Sequence, residues 1–141
     1  MRSFNLKNLL ETVSPYLPIE GFYPREWLKD DNNIALTNSN NDFALFEHID
    51  GLYTGHYFFN SRGKEAVKAA TDMLDEIFSD TYSVNVIRGL SPLQELGARW
   101  LNRKLGFTSH GVVQTKAGPC ELVILTKQEW NNKNGRNLRR Q

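Results

Sequence analysis

The sequence lacks the features that mark disulfide-rich, secreted or membrane-spanning proteins. It contains a single cysteine, Cys120, which excludes an internal disulfide and fits a reducing compartment. No run of about 18 apolar residues is present, so we expect no transmembrane segment. The N-terminal residues 1–17 predict an amphipathic helix and not a signal peptide, because charged residues interrupt the apolar ones. We therefore expect a soluble protein of the cytoplasm.

An excess of charge of either sign is also missing. The 141 residues include 17 basic and 16 acidic side chains, and the net charge of +1 gives no reason to expect nucleic acid or a membrane as a partner. The length and the 40% hydrophobic content predict one globular domain over residues 1–130. Residues 131–141, NNKNGRNLRRQ, contain no acid, and we interpret them as a solvated basic tail. The alternative is a basic arm that becomes ordered on a partner surface.

Periodicity and turn signals predict the order helix, three strands, helix, strand, helix, two strands, which is an α+β fold. Asp50-Gly51 indicates a hairpin that pairs the strands 43–49 and 52–59 antiparallel. Helices are expected over 64–78 and 93–105, the second with Ser91 as its cap and Pro92 in its first turn. The remaining expected elements are helical segments at 6–13 and 25–28, strands at 32–37 and 83–89, and a closing hairpin of 111–116 and 120–127.

One junction in the sequence, HYFFNSRGKEA, indicates a ligand site. Here a strand gives way to a helix at Gly63, which is flanked by Arg62 and Lys64. A glycine at this position lets a ligand approach the backbone, and the first free amides of a helix attract anions. A phosphate or pyrophosphate is the natural ligand. The alternative is a tight turn with solvated cations.

Two segments carry a resemblance to a known family. LYTGHYFFNSRGKEA and GLSPLQELGARWLNRKLGF resemble the GNAT superfamily of acyl-coenzyme A N-acyltransferases, over about Phe43 to Thr126. The first is similar to the family's phosphate loop at Gly63, and more specifically to small GNAT-like proteins of bacteriophages in which a strand with a histidine runs into RGK. The second matches the family at Gly89, Pro92, Ala98, Leu105, Gly106 and Phe107.

The resemblance implies a GNAT-like fold, with a mostly antiparallel central sheet flanked by helices, and a function. Coenzyme A would lie between the strands 52–59 and 83–88, with its pyrophosphate at the amides around residues 62–66. The residues expected to bind it are Asn60, Arg62, Gly63, Lys64 and Ala66. A phage-encoded protein of this kind would transfer an acetyl group from acetyl-coenzyme A to an unknown amine, and would need no metal.

The catalytic residues are less complete than the family pattern. His56 is the best candidate general base, because imidazole exchanges protons near neutral pH and strand alternation places it on one face with Thr54 and Phe58. The alternative is a histidine in or beside the core. Asn102 stands at the position where the family often has a tyrosine that acts as the general acid. Glu95 stands at the position where the family usually has an asparagine. These departures favour a second hypothesis, a catalytically inactive assembly protein of a phage virion that binds structural partners through its basic tail.

Overall fold

The structure, a computed structural model, describes residues 24–27 and 29–132. Contacts within the chain divide it into two units, Met1–Met73 and Leu74–Gln141. The predicted helix at 6–13 lies outside the described residues. No helix among the described residues has both the length and the apolar character needed to cross a membrane. The prediction of a single domain over residues 1–130 stays a prediction.

The described residues of the first unit form a short helix, three strands and the start of a long helix. These are α1 (Pro24–Trp27), β1 (Ile34–Thr37), β2 (Phe43–Ile49), β3 (Leu52–Phe58) and α2 (Gly63–Ile77). Strand β2 pairs antiparallel with both β1 and β3. The turn between β2 and β3 has positive φ at Asp50 (52°) and Gly51 (81°), as a two-residue hairpin of the predicted kind requires. The sequence-based hairpin is therefore confirmed.

The core of the first unit is built on β2. Its first four residues, Phe43 to Phe46, are each at most 1% exposed, as expected for the middle strand of three with apolar residues on both faces. Trp27 in α1 is also buried, and its carbonyl accepts a hydrogen bond from Nδ2 of Asn33 at 2.9 Å. The other end of that amide, Oδ1 of Asn33, accepts the backbone N–H of His48 at 2.9 Å. One buried side chain thus ties α1 to β2.

Helix α2 spans 15 residues and confirms the helix predicted over 64–78. Its buried residues recur at helical spacing, so one face is apolar throughout. They are Ala66, Ala69, Ala70, Met73, Leu74 and Ile77. The boundary between the two units falls within this helix.

The second unit contains the end of α2 and the elements β4 (Val86–Pro92), α3 (Leu96–Leu105), β5 (Thr108–Thr115) and β6 (Gly118–Thr126). Strand β6 pairs antiparallel with both β4 and β5. Helix α3 ends at Leu105 and is followed by Gly106 in the left-handed conformation, as predicted. The closing hairpin is confirmed, although both of its strands begin earlier than the sequence indicates. The α+β fold class is confirmed as well.

The prediction for β4 and the start of α3 was wrong by several residues. The strand was expected over 83–89, but it continues to Ser91 and Pro92, which lie opposite Glu121 and Cys120 of β6. Ser91 therefore does not cap α3, and Pro92 does not lie in its first turn. Pairing with β6 outweighs the local capping signals, and a proline is tolerated at the end of a strand. Helix α3 begins only at Leu96.

A helix that the sequence analysis missed follows β6. Residues 127–132, here α4, are helical, and Thr126 and Glu129 form a capping box at its start. The backbone N–H of Glu129 donates to Oγ1 of Thr126 at 3.1 Å, and the N–H of Thr126 donates to Oε1 of Glu129 at 3.0 Å. The tail predicted to begin at Asn131 is therefore wrong at its first two residues. Residues 133–141 lie outside the described part of the chain.

Helix α4 is held in the second unit by Trp130. This side chain is 4% exposed, and its Nε1–H donates to Oδ1 of Asp75 in α2 at 2.9 Å. Its ring lies 6.4 Å from that of Phe78, centroid to centroid. Because the indole contributes both apolar contact and a hydrogen bond, it anchors the helix to the end of α2.

Candidate functional site

The junction between β3 and α2 is the centre of the candidate site. Strand β3 ends at Phe58 and α2 begins at Gly63, so residues 59–62 connect them. Gly63 has a φ of +56°, a left-handed conformation that residues with a side chain rarely adopt. A Cβ placed on Gly63 would meet no atom within 4 Å. The backbone conformation therefore explains the glycine, and the space beside it is open.

The first turn of α2 leaves two backbone donors free. The carbonyl of Arg62 accepts the N–H groups of Glu65 at 3.2 Å and Ala66 at 3.4 Å. The N–H groups of Gly63 and Lys64 donate no hydrogen bond within the part of the chain that the structure describes. Unpaired amides at the start of a long helix, where the helix dipole is positive, favour an anion.

The side chains of Asn60 and Arg62 fold back onto the junction itself. Nδ2 of Asn60 donates to the carbonyls of Asn40 at 3.2 Å and Asn41 at 3.0 Å. Nη1 of Arg62 donates to the carbonyls of Phe59 and Ser61. Arg62 remains exposed, so its other N–H groups still face solvent, whereas the amide donors of Asn60 are used within the protein.

Lys64 and Ala66, the other two residues predicted to bind a cofactor, differ in exposure. Lys64 is exposed, and its ammonium forms no ion pair with a described residue. Ala66 is 7% exposed, so its methyl group packs in the core, and its N–H already pairs with Arg62. The structure brings all five predicted residues to one junction. Their contact with a cofactor stays a prediction.

A buried carboxylate that the sequence analysis missed lies directly behind this junction. Asp42, in the loop before β2, is 0% exposed. Its Oδ1 accepts the backbone N–H groups of Asn60 at 2.7 Å and Ser61 at 2.8 Å, and its Oδ2 accepts Oγ–H of Ser61 at 2.6 Å and Nδ2–H of Asn38 at 3.0 Å. Burial acts to raise the pKa of Asp42, but these hydrogen bonds outweigh it and leave the pKa below its ordinary value of 3.8. Asp42 is therefore a carboxylate at neutral pH.

The proposed base, His56, lies at the surface beside a carboxylate. Its side chain is 43% exposed, so it is not a core histidine. Its Nε2 lies 3.6 Å from Oε1 of Glu47, whose side chain is 31% exposed. The pair lies on one face of the β2–β3 hairpin, and a protonated His56 would form an ion pair with Glu47. This exposure excludes a histidine inside the core, whereas the other part of the alternative, a histidine beside the core, stays open.

The Glu47–His56 pair follows from the hairpin turn, although the sequence analysis did not identify it. A two-residue turn places Ile49 opposite Leu52, and the same register places Glu47 opposite Thr54. His56 is two residues beyond Thr54 and so lies diagonally across from Glu47 on the same face. His48, by contrast, lies on the other face, with its ring 4.9 Å from that of Tyr53. The signal was therefore present in the turn itself.

Two positions of the second unit depart from the family pattern in the sequence. Asn102 is 5% exposed, and its Nδ2 donates to Oγ of Ser91 at 3.0 Å, so its amide links α3 to β4. Glu95 stands at the N-cap position of α3, where its side chain forms no capping hydrogen bond. Neither Asn102 nor Ser91 titrates near neutral pH, and this pair therefore supplies no proton donor for catalysis.

No protein-family model matches the sequence, and no curated protein matches it. Solved structures do match the fold. The spermidine/spermine N-acetyltransferase SpeG from Vibrio cholerae superposes with a TM-score of 0.75 at 10% identity, covering 94% of this chain and 96% of that one. The aminoglycoside acetyltransferase AAC(6′)-Ib in complex with coenzyme A and kanamycin gives 0.61 at 20% identity, covering 76% and 74%. An uncharacterized protein from Bacillus halodurans gives 0.69 at 9% identity, covering 92% and 84%.

These similarities define the fold of the chain. The two named neighbours are acetyltransferases, and the chain shares their fold, which is the GNAT-like fold. The GNAT likeness inferred from the sequence is confirmed at the level of the fold. A likeness to bacteriophage proteins is not among these findings. A shared fold does not establish a shared activity, which depends on the residues of the site.

Proposed function

We propose that the protein is an N-acetyltransferase that moves an acetyl group from acetyl-coenzyme A to an amine. The observation that carries this proposal is the start of α2, where a left-handed Gly63 and two unpaired N–H groups lie beside the exposed Lys64. A second observation supports it: a histidine and a carboxylate lie 3.6 Å apart on the strands that precede this junction.

The residues at the junction fit a pyrophosphate. The amides of Gly63 and Lys64 offer two donors, the dipole of a 15-residue helix favours negative charge, and Lys64 adds a cation. The absent Cβ of Gly63 leaves room for a phosphate to approach the backbone. Arg62 contributes charge through the N–H groups that do not bind the loop carbonyls. Acetyl-coenzyme A, when bound, supplies the activated acetyl thioester.

His56 and Glu47 fit a role in binding and deprotonating the amine substrate. An amine attacks only after losing the proton of its ammonium form, and His56 in its neutral form accepts that proton at an imidazole nitrogen. Glu47 attracts the incoming ammonium and stabilises the imidazolium that results. Since AAC(6′)-Ib and SpeG are named for an aminoglycoside and for spermidine, a polycationic amine is the first acceptor class to test.

Isothermal titration with coenzyme A tests the cofactor part of the proposal. We expect a dissociation constant in the micromolar range, about −8 kcal/mol, weakening as salt rises because the contacts are ionic. Release of free thiol from acetyl-coenzyme A in the presence of spermidine or kanamycin tests the transfer. Absence of heat at millimolar coenzyme A would refute the cofactor site.

The second candidate is an inactive GNAT-fold assembly protein, such as a component of a phage virion. The Asn102–Ser91 pair favours it, because a buried amide occupies the position where the family often has its acid. Coenzyme A binding without acetyl transfer to any amine in a broad panel would support this candidate. Transfer with turnover would exclude it. If the basic tail mediates assembly, removal of residues 133–141 should abolish partner binding, and that shorter deletion spares α4.

A further inference from the structure

Asp42 is a buried, charged side chain that has no role in the proposed acetyl transfer. Both of its oxygens are fully engaged, and three of its four donors belong to Asn60 and Ser61. Those residues lie 18 and 19 positions away in sequence and directly precede the start of α2. Hydrogen bonds to a carboxylate are stronger than neutral ones, so this group fixes the path of the junction more firmly than a neutral loop would.

The hydrogen bonds of Asp42 also determine which amides a ligand can reach. A loop that leads into a helix offers several consecutive N–H groups to an anion. Here the N–H groups of Asn60 and Ser61 bind an internal anion, and those of Glu65 and Ala66 bind the carbonyl of Arg62. Among the described residues of this stretch, the N–H groups of Arg62, Gly63 and Lys64 remain, and the last two belong to the first turn of α2.

We propose that Asp42 is the positioning residue of the phosphate site: its carboxylate holds residues 60–62 so that the amides of Gly63 and Lys64 point together at a phosphate. The inference rests on the proposed function, because it concerns the same coenzyme A site. Asp42 itself touches no ligand. It acts by fixing the conformation from which the left-handed Gly63 starts the helix.

The hydrogen bonds around Asp42 suggest a conservative substitution, and a second substitution that should restore the effect of the first. Asn38 has a fixed orientation, because its Oδ1 accepts the backbone N–H groups of Asn40 at 2.9 Å and Asp42 at 3.1 Å. In Asp42→Asn, the new side-chain NH₂ therefore faces the NH₂ of Asn38. If the new amide rotates by 180°, its NH₂ instead faces the backbone N–H groups of Asn60 and Ser61. The double variant Asn38→Asp/Asp42→Asn exchanges donor and acceptor between positions 38 and 42. The new NH₂ at position 42 then faces a carboxylate oxygen at position 38 and the hydroxyl of Ser61, which accepts instead of donating, while the charge moves to position 38.

The experiment measures two quantities in each folded variant: the affinity for coenzyme A, and the amide chemical shifts and hydrogen exchange of Gly63 and Lys64 without ligand. We expect Asp42→Asn to weaken coenzyme A binding about tenfold or more and to shift both amide signals. The double variant should restore both quantities. Asn33→Ala is the matched control, because it also breaks two hydrogen bonds of a buried side chain in the first unit but does not touch the junction. It should lower stability and leave both quantities unchanged.

Each outcome decides the inference. Wild-type affinity and unshifted amides in folded Asp42→Asn would overturn it, as would an equal loss of affinity in Asn33→Ala or no recovery in the double variant. If the wild type binds no coenzyme A, the proposed function fails and the amide signals alone decide the positioning role. The positioning role of Asp42 is then supported if the amide signals of Gly63 and Lys64 shift in Asp42→Asn and return in the double variant. It is overturned if these signals do not shift in Asp42→Asn.

Discussion

The left-handed Gly63 gives a sharp test of whether α2 binds a phosphate. Asparagine tolerates the left-handed conformation better than other residues with a side chain, so Gly63→Asn should cost at most about 1 kcal/mol of folding free energy. The new Cβ meets no protein atom within 4 Å, so no clash adds to that cost. A phosphate close to the backbone would collide with the asparagine side chain, and the protein would lose two charge-assisted hydrogen bonds.

The size of the effect follows from those two bonds. Each contributes about 1.5–3 kcal/mol, so a loss of at least about 3 kcal/mol, or roughly a hundredfold or more in affinity, is expected. Gly51→Asn is the matched control, because Gly51 is also left-handed (φ +81°) with open space around it, at the hairpin turn far from the junction. We expect both variants to lose similar stability in urea titrations, and only the Gly63 variant to lose coenzyme A binding in calorimetry. Unchanged affinity in folded Gly63→Asn would refute the site.

Three further predictions concern other residues of the two units. His56→Gln should lower acetyl transfer by about a hundredfold or more in steady-state assays and leave the affinity for coenzyme A unchanged; an equal loss of affinity would show that His56 acts in binding. Because the pKa of Asp42 is lowered by folding, its stabilising effect is complete above pH 3.8 and is lost as the pH falls through the lower folded-state value. Acid unfolding of Asp42→Asn followed by circular dichroism should therefore depend less steeply on pH than that of the wild type, and identical slopes would contradict this. Trp130→Phe removes both the donor to Asp75 and part of a buried ring, so it should cost at least about 1 kcal/mol in urea unfolding, whereas no change would show that Trp130 does not anchor α4.

The parts of the fold that local signals determine were predictable from the sequence. Asp50-Gly51 fixed a hairpin and its register, and apolar spacing located α2. Pairing between distant segments was not predictable in the same way, since β6 extends β4 past Ser91 against the local helix signals. Asp42 was missed for a related reason, because its partners at the junction lie 18 and 19 residues away. No pattern within the loop marks such a contact.

Two further features of the structure have local signals in the sequence. The capping box of Thr126 and Glu129 marks the start of α4, and it follows the recognised spacing of a threonine and a glutamate three residues apart. The hairpin register places His56 diagonally opposite Glu47. Both features follow from local geometry, because the capping rule defines the helix start and the turn rule defines which side chains share a face.

The placement of the tryptophans makes the two units optically distinguishable. Trp27 is buried in the first unit at 7% exposure and Trp130 in the second at 4%, whereas Trp100 is 37% exposed. Indole emission shifts to longer wavelength when a buried ring enters water, so Trp27 and Trp130 report the opening of different halves of the chain. In variants that keep only one of them, coincident fluorescence transitions would show one cooperative folding unit, and separate transitions would show two.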